Sequence, residues 1–426
     1  MIYSFLDKFY VKASFRSKCL TSFTVATWIG LAIFMAMFAY YHKDSGVTGT
    51  YWKASLNWIK GLQMYDMNSN CGAFGSFPQG AILHIPLAVL PNTLAKILWR
   101  IFNVSIMAYF CYLFTRLYRN VPKGYVFFLV SLITIPLAYD SLRNGQLNIL
   151  ITVFTIAIFY LMCEKKYKAA IIVCYIGLAF KPYMLIPLLV ITGIYPRKTM
   201  LTTVLGGISF VLFPFLFQTP DYVVGQYKSC LELFRIQNQR GLEIGYTDFW
   251  GILRSMNLKI NYAKVNVIFS AFSGLTVYAY CIYLKKKQNQ YVRKCNSMPV
   301  TNNNMHAINY NLKTIQMIYV LIIALPTAYS LLFGTRIEFC TYVLAAPFIA
   351  YFIILALQHK KWAYAILTIT CWFIMFSARV SCKAITPELH NYCIWPIFLG
   401  FLIFIIITLS YFVPIILISS DKSKNF

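Results

Sequence analysis

The sequence predicts an all-α polytopic membrane protein with about 10–12 transmembrane helices and two long external loops, and three observations carry that prediction. Of the 426 residues, 59% are hydrophobic and 12% are charged. That is more apolar surface than a water-soluble domain can hide, so a bilayer must be the solvent for much of it. Apolar runs recur along most of the chain. The formal net charge of +26 sits in short clusters between those runs, where Lys and Arg orient helices by the positive-inside effect. A nucleic-acid groove needs a continuous basic face, which this pattern lacks, so nucleic acid is excluded as a partner.

Residues 1–21 form a basic cytoplasmic segment with Lys8, Lys12, Arg16 and Lys18. The first apolar run, 22–41, is not followed by a clean small-residue cleavage site and reads as a retained span. Further runs fall at 98–117, 124–140, 147–163, 168–195, 200–217, 264–284, 316–333, 340–357, 362–378 and 394–418. A crossing takes about 20 residues, with a lower limit near 17. The run 168–195 is too long for one helix and is interrupted at Lys181-Pro182. Two short helices or a re-entrant pair are expected to meet there, giving twelve crossings, or ten if neither half spans. The run 79–91 has 13 residues, with His84 and two prolines, and is expected to stay on one side as a hairpin.

With the N-terminus in the cytoplasm, the cytoplasmic segments receive Arg119 and Lys123, then Lys165, Lys166 and Lys168, then Arg197 and Lys198. They also receive Lys285 to Lys287 with Arg293 and Lys294, Lys360 and Lys361, and Lys422 and Lys424. Every such segment is basic, as the positive-inside rule requires. Most acids fall on the other side: Asp44, Asp66, Asp140, Asp221, Glu232, Glu243, Asp248, Glu338 and Glu388. The long loops 42–97 and 218–263 are external too, so a polar, acid-bearing chamber is expected on the external face. The expected organisation is a first bundle over 22–284, a flexible cytoplasmic connector over 285–315, a C-terminal bundle over 316–418 and a cytoplasmic tail over 419–426. Most of the 12 cysteines lie inside spans as small packing residues. Cys382 and Cys393 share an external loop, where an oxidising compartment can bridge them.

Polar residues at helix ends are the candidates for chemistry. Asp140, Arg143, Gln146 and Asn148 cluster where one span ends externally and the next begins. They form either a solvated turn about Asn144-Gly145 or a phosphate site, with Arg143 as a bidentate donor and the amides on sugar hydroxyls. Lys181 sits in a long apolar stretch, where a lysine costs about 2.5–3.5 kcal/mol unless paired or hydrated. It either snorkels to the interface or holds a phosphate at the helix break. Asp44, just outside the first span, is an interfacial acid or a general base for an acceptor hydroxyl, with Asp66 and Asp248 as competitors. Arg336 and Glu338 share a short external turn, where they pair with each other or face the chamber. The five histidines are scattered and no HExxH, paired-Cys, P-loop or dinucleotide-binding pattern occurs. No metal or cofactor is therefore expected.

Several stretches, taken in order, share a pattern. They are Tyr51-Trp52-Lys53-Ala54-Ser55 through Gly61 and Tyr65, and Phe77-Pro78-Gln79 with Pro86 and Pro91. Then come Arg143 through Asn148, Lys181-Pro182, Thr247-Asp248-Phe249-Trp250-Gly251 with Arg254, and Arg336, Glu338, Tyr342 and Pro347. The ordered set resembles the polytopic glycosyltransferases of family 87, the mannosyltransferase-like branch of the GT-C class. The resemblance implies a GT-C-like bundle in the plasma (inner) membrane. It also implies inverting, metal-independent transfer of a hexose, with mannose the first candidate, from a polyprenyl-phosphate sugar to a lipid or glycan acceptor on the external face. In this class an acid in the first external loop is the base. Asp44 matches by location, although members often carry an Asp nearer the tyrosine-rich helix, where this chain has Val47-Thr48-Gly49-Thr50. Arg143, Lys181 and Arg336 would then hold the donor phosphate, and Asp66, Gln146, Asn148, Asp248 and Glu338 the sugar or acceptor. The rival expectation is a secondary transporter or flippase of lipid-linked sugars, which predicts related halves and polar groups open to both faces. No repeat is evident, and the acids are one-sided.

Overall fold

The computed structural model describes residues 13–42, 46–65, 74–118, 121–239, 246–256, 262–298, 302–334, 337–385 and 394–421. Among them the regular structure is helical and no strand occurs. Hydrocarbon imposes this, because a backbone exposed to lipid must close its hydrogen bonds internally. In chain order the helices are α1 (Ala13–Tyr41), α2 (Thr48–Ile59), α3 (Pro78–Ala88), α4 (Asn92–Phe114) and α5 (Lys123–Asn144). There follow α6 (Asn148–Cys163), α7 (Tyr167–Phe180), α8 (Leu185–Ile194), α9 (Pro196–Leu212), α10 (Pro220–Gln239) and α11 (Phe249–Ser255). The last are α12 (Tyr262–Ser297), α13 (Asn302–Phe333), α14 (Ala346–Gln358), α15 (Trp362–Ile385) and α16 (Ile394–Asp421). Among the described residues eight helical stretches are long and apolar enough to cross a membrane, and four shorter apolar ones lie at 148–163, 167–180, 182–194 and 362–378. The expected ten to twelve crossings are drawn from this set. The chain is thus an all-α polytopic membrane protein.

The break in 168–195 is present. α7 stops at Phe180, Pro182–Met184 form a 3-10 turn, and α8 resumes at Leu185. Proline has no N–H to donate and disfavours helical geometry in the residue before it, which is Lys181. The run 79–91 supplies only the 11-residue α3, too short to cross. Among the described residues the loop 42–97 therefore carries α2 and α3, and the loop 218–263 carries α10 and α11.

Two further features concern the organisation of the chain. The connector over 285–315 is helical on both sides, as the end of α12 and the start of α13, with 299–301 outside the described residues. Lys and Gln are good helix formers, and α12 packs along α13. The chain also divides into two compact units. One compact unit comprises Met1–Tyr160, Ile176–Pro182 and Ser209–Gln237; the other comprises Leu161–Tyr175, Tyr183–Ile208 and Asn238–Phe426.

In the first unit α1 packs on α4 and α5, and the Trp28 indole N–H donates to Ser131 Oγ at 2.9 Å. α2 packs on α3, where Ser55 Oγ donates to the Ala81 carbonyl at 2.7 Å. Gly80 lets α3 lie directly on the backbone of Ala179, because a Cβ there would collide with that carbonyl. In the second unit the stretch Phe339–Gln358 is the interior element, 94% buried in its apolar window, whereas Val267–Ser297 is 11% buried. Val267, Ile268, Phe272 and Leu275 on α12 stand exposed together, an apolar surface that lipid covers and water does not tolerate.

α5 ends in a Schellman motif. Gly145 takes φ 65°, its N–H bonds the Leu142 carbonyl at 3.2 Å, and the Gln146 N–H bonds the Ser141 carbonyl at 2.8 Å. Thr48 Cγ2 and the Trp99 ring fill the place that a Cβ on Gly145 would take. A non-glycine residue in this region costs about 1–3 kcal/mol. Gly61 has a similar φ of 68° with nothing within 4 Å of its Cβ position. Gly145→Ala is therefore expected to lower the thermal midpoint more than Gly61→Ala, since both carry the backbone cost and only the first adds a collision. Equal shifts, measured by heating the detergent-solubilised variants, would show that the packing against Thr48 and Trp99 contributes nothing.

Candidate active site

The α5–α6 turn is the centre of the first unit's polar chemistry. The last carbonyls of a helix have no partner within it and must find one elsewhere. At α5 the Schellman bonds take Ser141 and Leu142. The Arg143 carbonyl then accepts Arg100 Nη2 at 2.8 Å, the Asn144 carbonyl accepts the Val47 N–H at 3.2 Å, and the Gly145 carbonyl accepts the Trp99 indole N–H at 2.8 Å. The donors come from α4 and from the residue preceding α2. Gly46 allows that approach, since a Cβ there would strike the backbone of Asn144.

This frame holds the candidates on one turn. Arg143 is half-buried in the last turn of α5, and Asp140 is buried one turn earlier. Gln146 and Asn148 are buried, with Asn148 Nδ2 donating to Gln146 Oε1 at 2.5 Å and lying 3.4 Å from Ser141 Oγ. The amides therefore hold one another in place and are not a mobile turn. Asp44 lies outside the described residues, as do Asp66 and Arg336. The described residues that follow Asp44 most closely, Gly46 and Val47, are those docked on Asn144.

Beside the turn lies an aromatic cluster centred on His84. Its ring is 5.2 Å from Tyr51, 5.8 Å from Trp52, 5.3 Å from Trp99 and 5.4 Å from Phe180. His84 Nδ1 is 2.6 Å from the Gly80 carbonyl, which assigns the proton to Nδ1 and leaves Nε2 as an acceptor. Burial holds the imidazole down to about 4, against the smaller opposing effect of the Gly80 bond. His84 Nε2, Trp52 Nε1 and Arg100 Nε are buried without a hydrogen-bond partner among the described residues. Such atoms cost about 1–3 kcal/mol each, so one region carrying three of them is equipped to meet polar groups of a ligand.

Lys181 follows α7 and is half-buried. Its N–H closes on the Gly177 carbonyl at 2.9 Å, and the Phe180 carbonyl accepts Ser76 Oγ at 2.6 Å. Phe180 thus joins the lysine to the His84 cluster by one peptide unit. The motif residue Gln79 ties α3 to the 209–237 segment, donating from Nε2 to the Phe210 carbonyl at 2.5 Å and to Tyr227 Oη at 2.6 Å.

Asp248 and Glu338 belong to the second unit. Asp248 is fully buried and caps α11: Oδ1 accepts the Gly251 N–H at 2.7 Å and Oδ2 accepts the Ile337 N–H at 3.1 Å. Thr247 bonds the Ile337 carbonyl through both its N–H, at 2.7 Å, and Oγ1, at 2.8 Å, while Tyr342 Oη donates to the Thr247 carbonyl at 2.6 Å. Burial pushes the Asp248 carboxyl up, and the Gly251 and Ile337 N–H groups with the Arg254 charge oppose it. Each carboxylate oxygen already accepts a backbone donor, so this geometry gives Asp248 a bracing role. Glu338 is exposed, and Cys340 Sγ lies 3.2 Å from its Oε2.

The sequence reading missed Arg100, Trp99 and the chemistry of His84. A signal existed: Lys96, Arg100 and Asn103 follow i, i+4, i+7 spacing on α4 and all are buried, a polar stripe on one face of an apolar helix. His84 entered that reading only as an argument against a crossing.

The sequence matches glycosyltransferase family 87 over residues 78–295, just over half of the chain, including α3, the α5–α6 turn, Lys181 and the Thr247–Gly251 motif. The chain belongs to this family. It is a membrane glycosyltransferase, which takes a sugar from a donor to an acceptor. Comparison with curated proteins and with solved structures found no match.

The His84 geometry predicts a pH dependence for this transferase. An imidazole held at about 4 when folded, against 6.5 unfolded, contributes fully above pH 6.5 and loses that contribution as pH falls through 4. The loss amounts to about 3 kcal/mol. Wild-type protein is expected to lose thermal stability over this window more steeply than His84→Gln. Parallel pH profiles would contradict the buried, neutral imidazole.

Proposed function

We propose that the protein transfers a hexose, with mannose the first candidate, from a polyprenyl-phosphate sugar to a lipid or glycan acceptor on the external face, inverting the anomeric centre. The observation that carries this reading is the docking of Gly46 and Val47, just after Asp44, on the turn that bears Arg143, Gln146 and Asn148. It brings the chain beside the proposed base to the residues proposed for donor phosphate and sugar. The apolar spans suit the donor's polyprenyl tail, whereas its phosphate and sugar need a polar pocket.

In the proposed step the acceptor hydroxyl oxygen attacks the sugar C1 and its proton passes to the Asp44 carboxylate. The bond from C1 to the phosphate oxygen breaks, and polyprenyl phosphate leaves with the electron pair. Arg143 and Lys181, with Arg336 as a third cation, stabilise the charge that grows on that phosphate. Gln146 and Asn148 orient sugar hydroxyls, and His84 Nε2 and Trp52 Nε1 add an acceptor and a donor that the notional turn alone lacks. Asp66 and Glu338 complete the acids assigned to the acceptor side. The cations take the part that a metal plays in nucleotide-sugar enzymes, so the reaction as proposed is metal-independent.

The test is transfer of radiolabel from polyprenyl-phosphate mannose to a membrane-lipid extract by the purified, detergent-solubilised protein. Asp44→Asn is expected to reduce turnover by about 10²–10⁴-fold with little change in KM. Lys181→Met and Arg143→Gln are expected to reduce it by about 10²-fold or more. Near-wild-type transfer by Asp44→Asn would remove Asp44 from the mechanism. Failure of donors bearing other sugars as well would favour the lipid-linked-sugar flippase over transfer from this donor class.

A further inference from the structure

Unit two gathers lysines around a pair of stacked tyrosines. The rings of Tyr167 and Tyr195 lie 4.4 Å apart at 25°. Lys285 Nζ sits 4.1 Å from the centroid of Tyr195, and Lys198 Nζ sits 4.7 Å from that of Tyr167. Beneath them Gln288, 1% exposed, accepts at Oε1 from both Tyr195 Oη and Lys285 Nζ, each at 2.8 Å. Tyr167 Oη is 2.7 Å from Tyr319 Oη, which fixes the second ring against α13. The charges of Lys198 and Lys165 act repulsively on Lys285, so all three cations share one neighbourhood.

Three features give this cluster a ligand's signature. No carboxylate pairs with Lys165, Lys198 or Lys285 among the described residues. Gathered like charges repel, and cation–π contacts worth about 0.5–1 kcal/mol return only part of that cost. The Gln288 amide Nε2 is buried with no hydrogen-bond partner among the described residues, on the same amide whose Oε1 takes the Lys285 ammonium. The three lysines come from segments that the charge pattern assigns to one side of the bilayer, 165–168, 197–198 and 285–287.

We propose that this cluster binds a phosphate-bearing anion, with Lys198 and Lys285 as the charged clamp, Lys165 at the rim and Gln288 Nε2 as the buried neutral donor. The chemistry is a phosphate oxygen meeting two ammonium groups and an amide N–H. Its source is either the phosphodiester of an anionic lipid headgroup at the interface or free phosphate. The site shares no residue with the donor assignment and does not depend on it.

The experiment measures the thermal stability of the full-length, detergent-solubilised protein during titration with phosphatidylglycerol, phosphatidylcholine or inorganic phosphate. Wild type is compared with the Lys198→Gln/Lys285→Gln double variant, with Lys198→Gln alone, and with Lys286→Gln, which removes an exposed charge outside the cluster. Each clamp lysine is expected to be worth about fivefold in apparent affinity, so the double variant should lose about 25-fold and Lys286→Gln almost nothing. Saturable stabilisation by phosphatidylglycerol alone, weakened in the clamp variants, assigns the site to a lipid headgroup. The same pattern with inorganic phosphate assigns it to the free anion. No stabilisation of wild type by either, or an equal response from Lys198→Gln and Lys286→Gln, overturns the proposal. Lys198 is exposed, so its single variant remains a test if the double variant fails to fold.

Discussion

The first unit depends on sealing the C-terminal carbonyls of two helices that end among apolar neighbours. A carbonyl left bare in a medium without water costs several kcal/mol, so a helix can stop there only if other residues supply donors. For α5 those donors are the Arg100 guanidinium, the Trp99 indole and the Val47 N–H. For α7 the Phe180 carbonyl receives the Ser76 hydroxyl. All four belong to residues 47–100, so the segment between α1 and α4 and the start of α4 act as one cap over both helix ends. The cations then follow. A helix C-terminus carries a partial negative charge that favours Arg or Lys in its last turn, and Arg143 and Lys181 stand at these two ends.

The aromatic cluster adds a second consequence of the same cap. His84, Trp52 and Trp99 are drawn together because α2, α3 and α4 must each reach a helix end. Packing them excludes water, which keeps the imidazole neutral and leaves its Nε2 as a bare acceptor. A neutral acceptor beside two cationic helix ends is suited to a hydroxyl, since it does not compete with a phosphate for Arg143 or Lys181. The scaffold requirement and the proposed chemistry therefore call on the same residues.

Much of this was legible in the chain. The helical fold follows from apolar runs of spanning length, and the break at Lys181-Pro182 follows from a proline and a charge inside one of them. The short α3 was legible from length and proline content. What stayed hidden was long-range pairing. Nothing in Arg143-Asn144-Gly145 says that Arg100, 43 residues earlier, holds its carbonyl, because a side chain's partner across helices leaves no local pattern. The polar stripe of Lys96, Arg100 and Asn103 was the one available cue. The stretch 285–315 shows a related limit: its Asn, Gln and Lys content reads as solvated loop, and the packing of α12 along α13 leaves no local pattern there.

Asp248 illustrates how a motif acquires two readings. An acid before an aromatic-glycine pair in a long polar loop invites a role on substrate, yet here it organises its own backbone. Its two oxygens bind Gly251 and Ile337, and Gly251 has no room for a Cβ beside the Tyr246 carbonyl. Thr247 and Tyr342 then lock the same two strands of chain together. Burying a carboxylate this deeply is tolerable only because those N–H donors replace its water. An acid so used is a poor general base: its lone pairs are engaged, and accepting a proton would weaken the bonds that hold Ile337, the residue between Arg336 and Glu338. The more mobile demands of catalysis, taking a proton and giving it up each turnover, suit an acid outside such a brace. On that physical ground Asp248 is disfavoured as a base, and the Thr247–Gly251 motif serves to hold Ile337 in place.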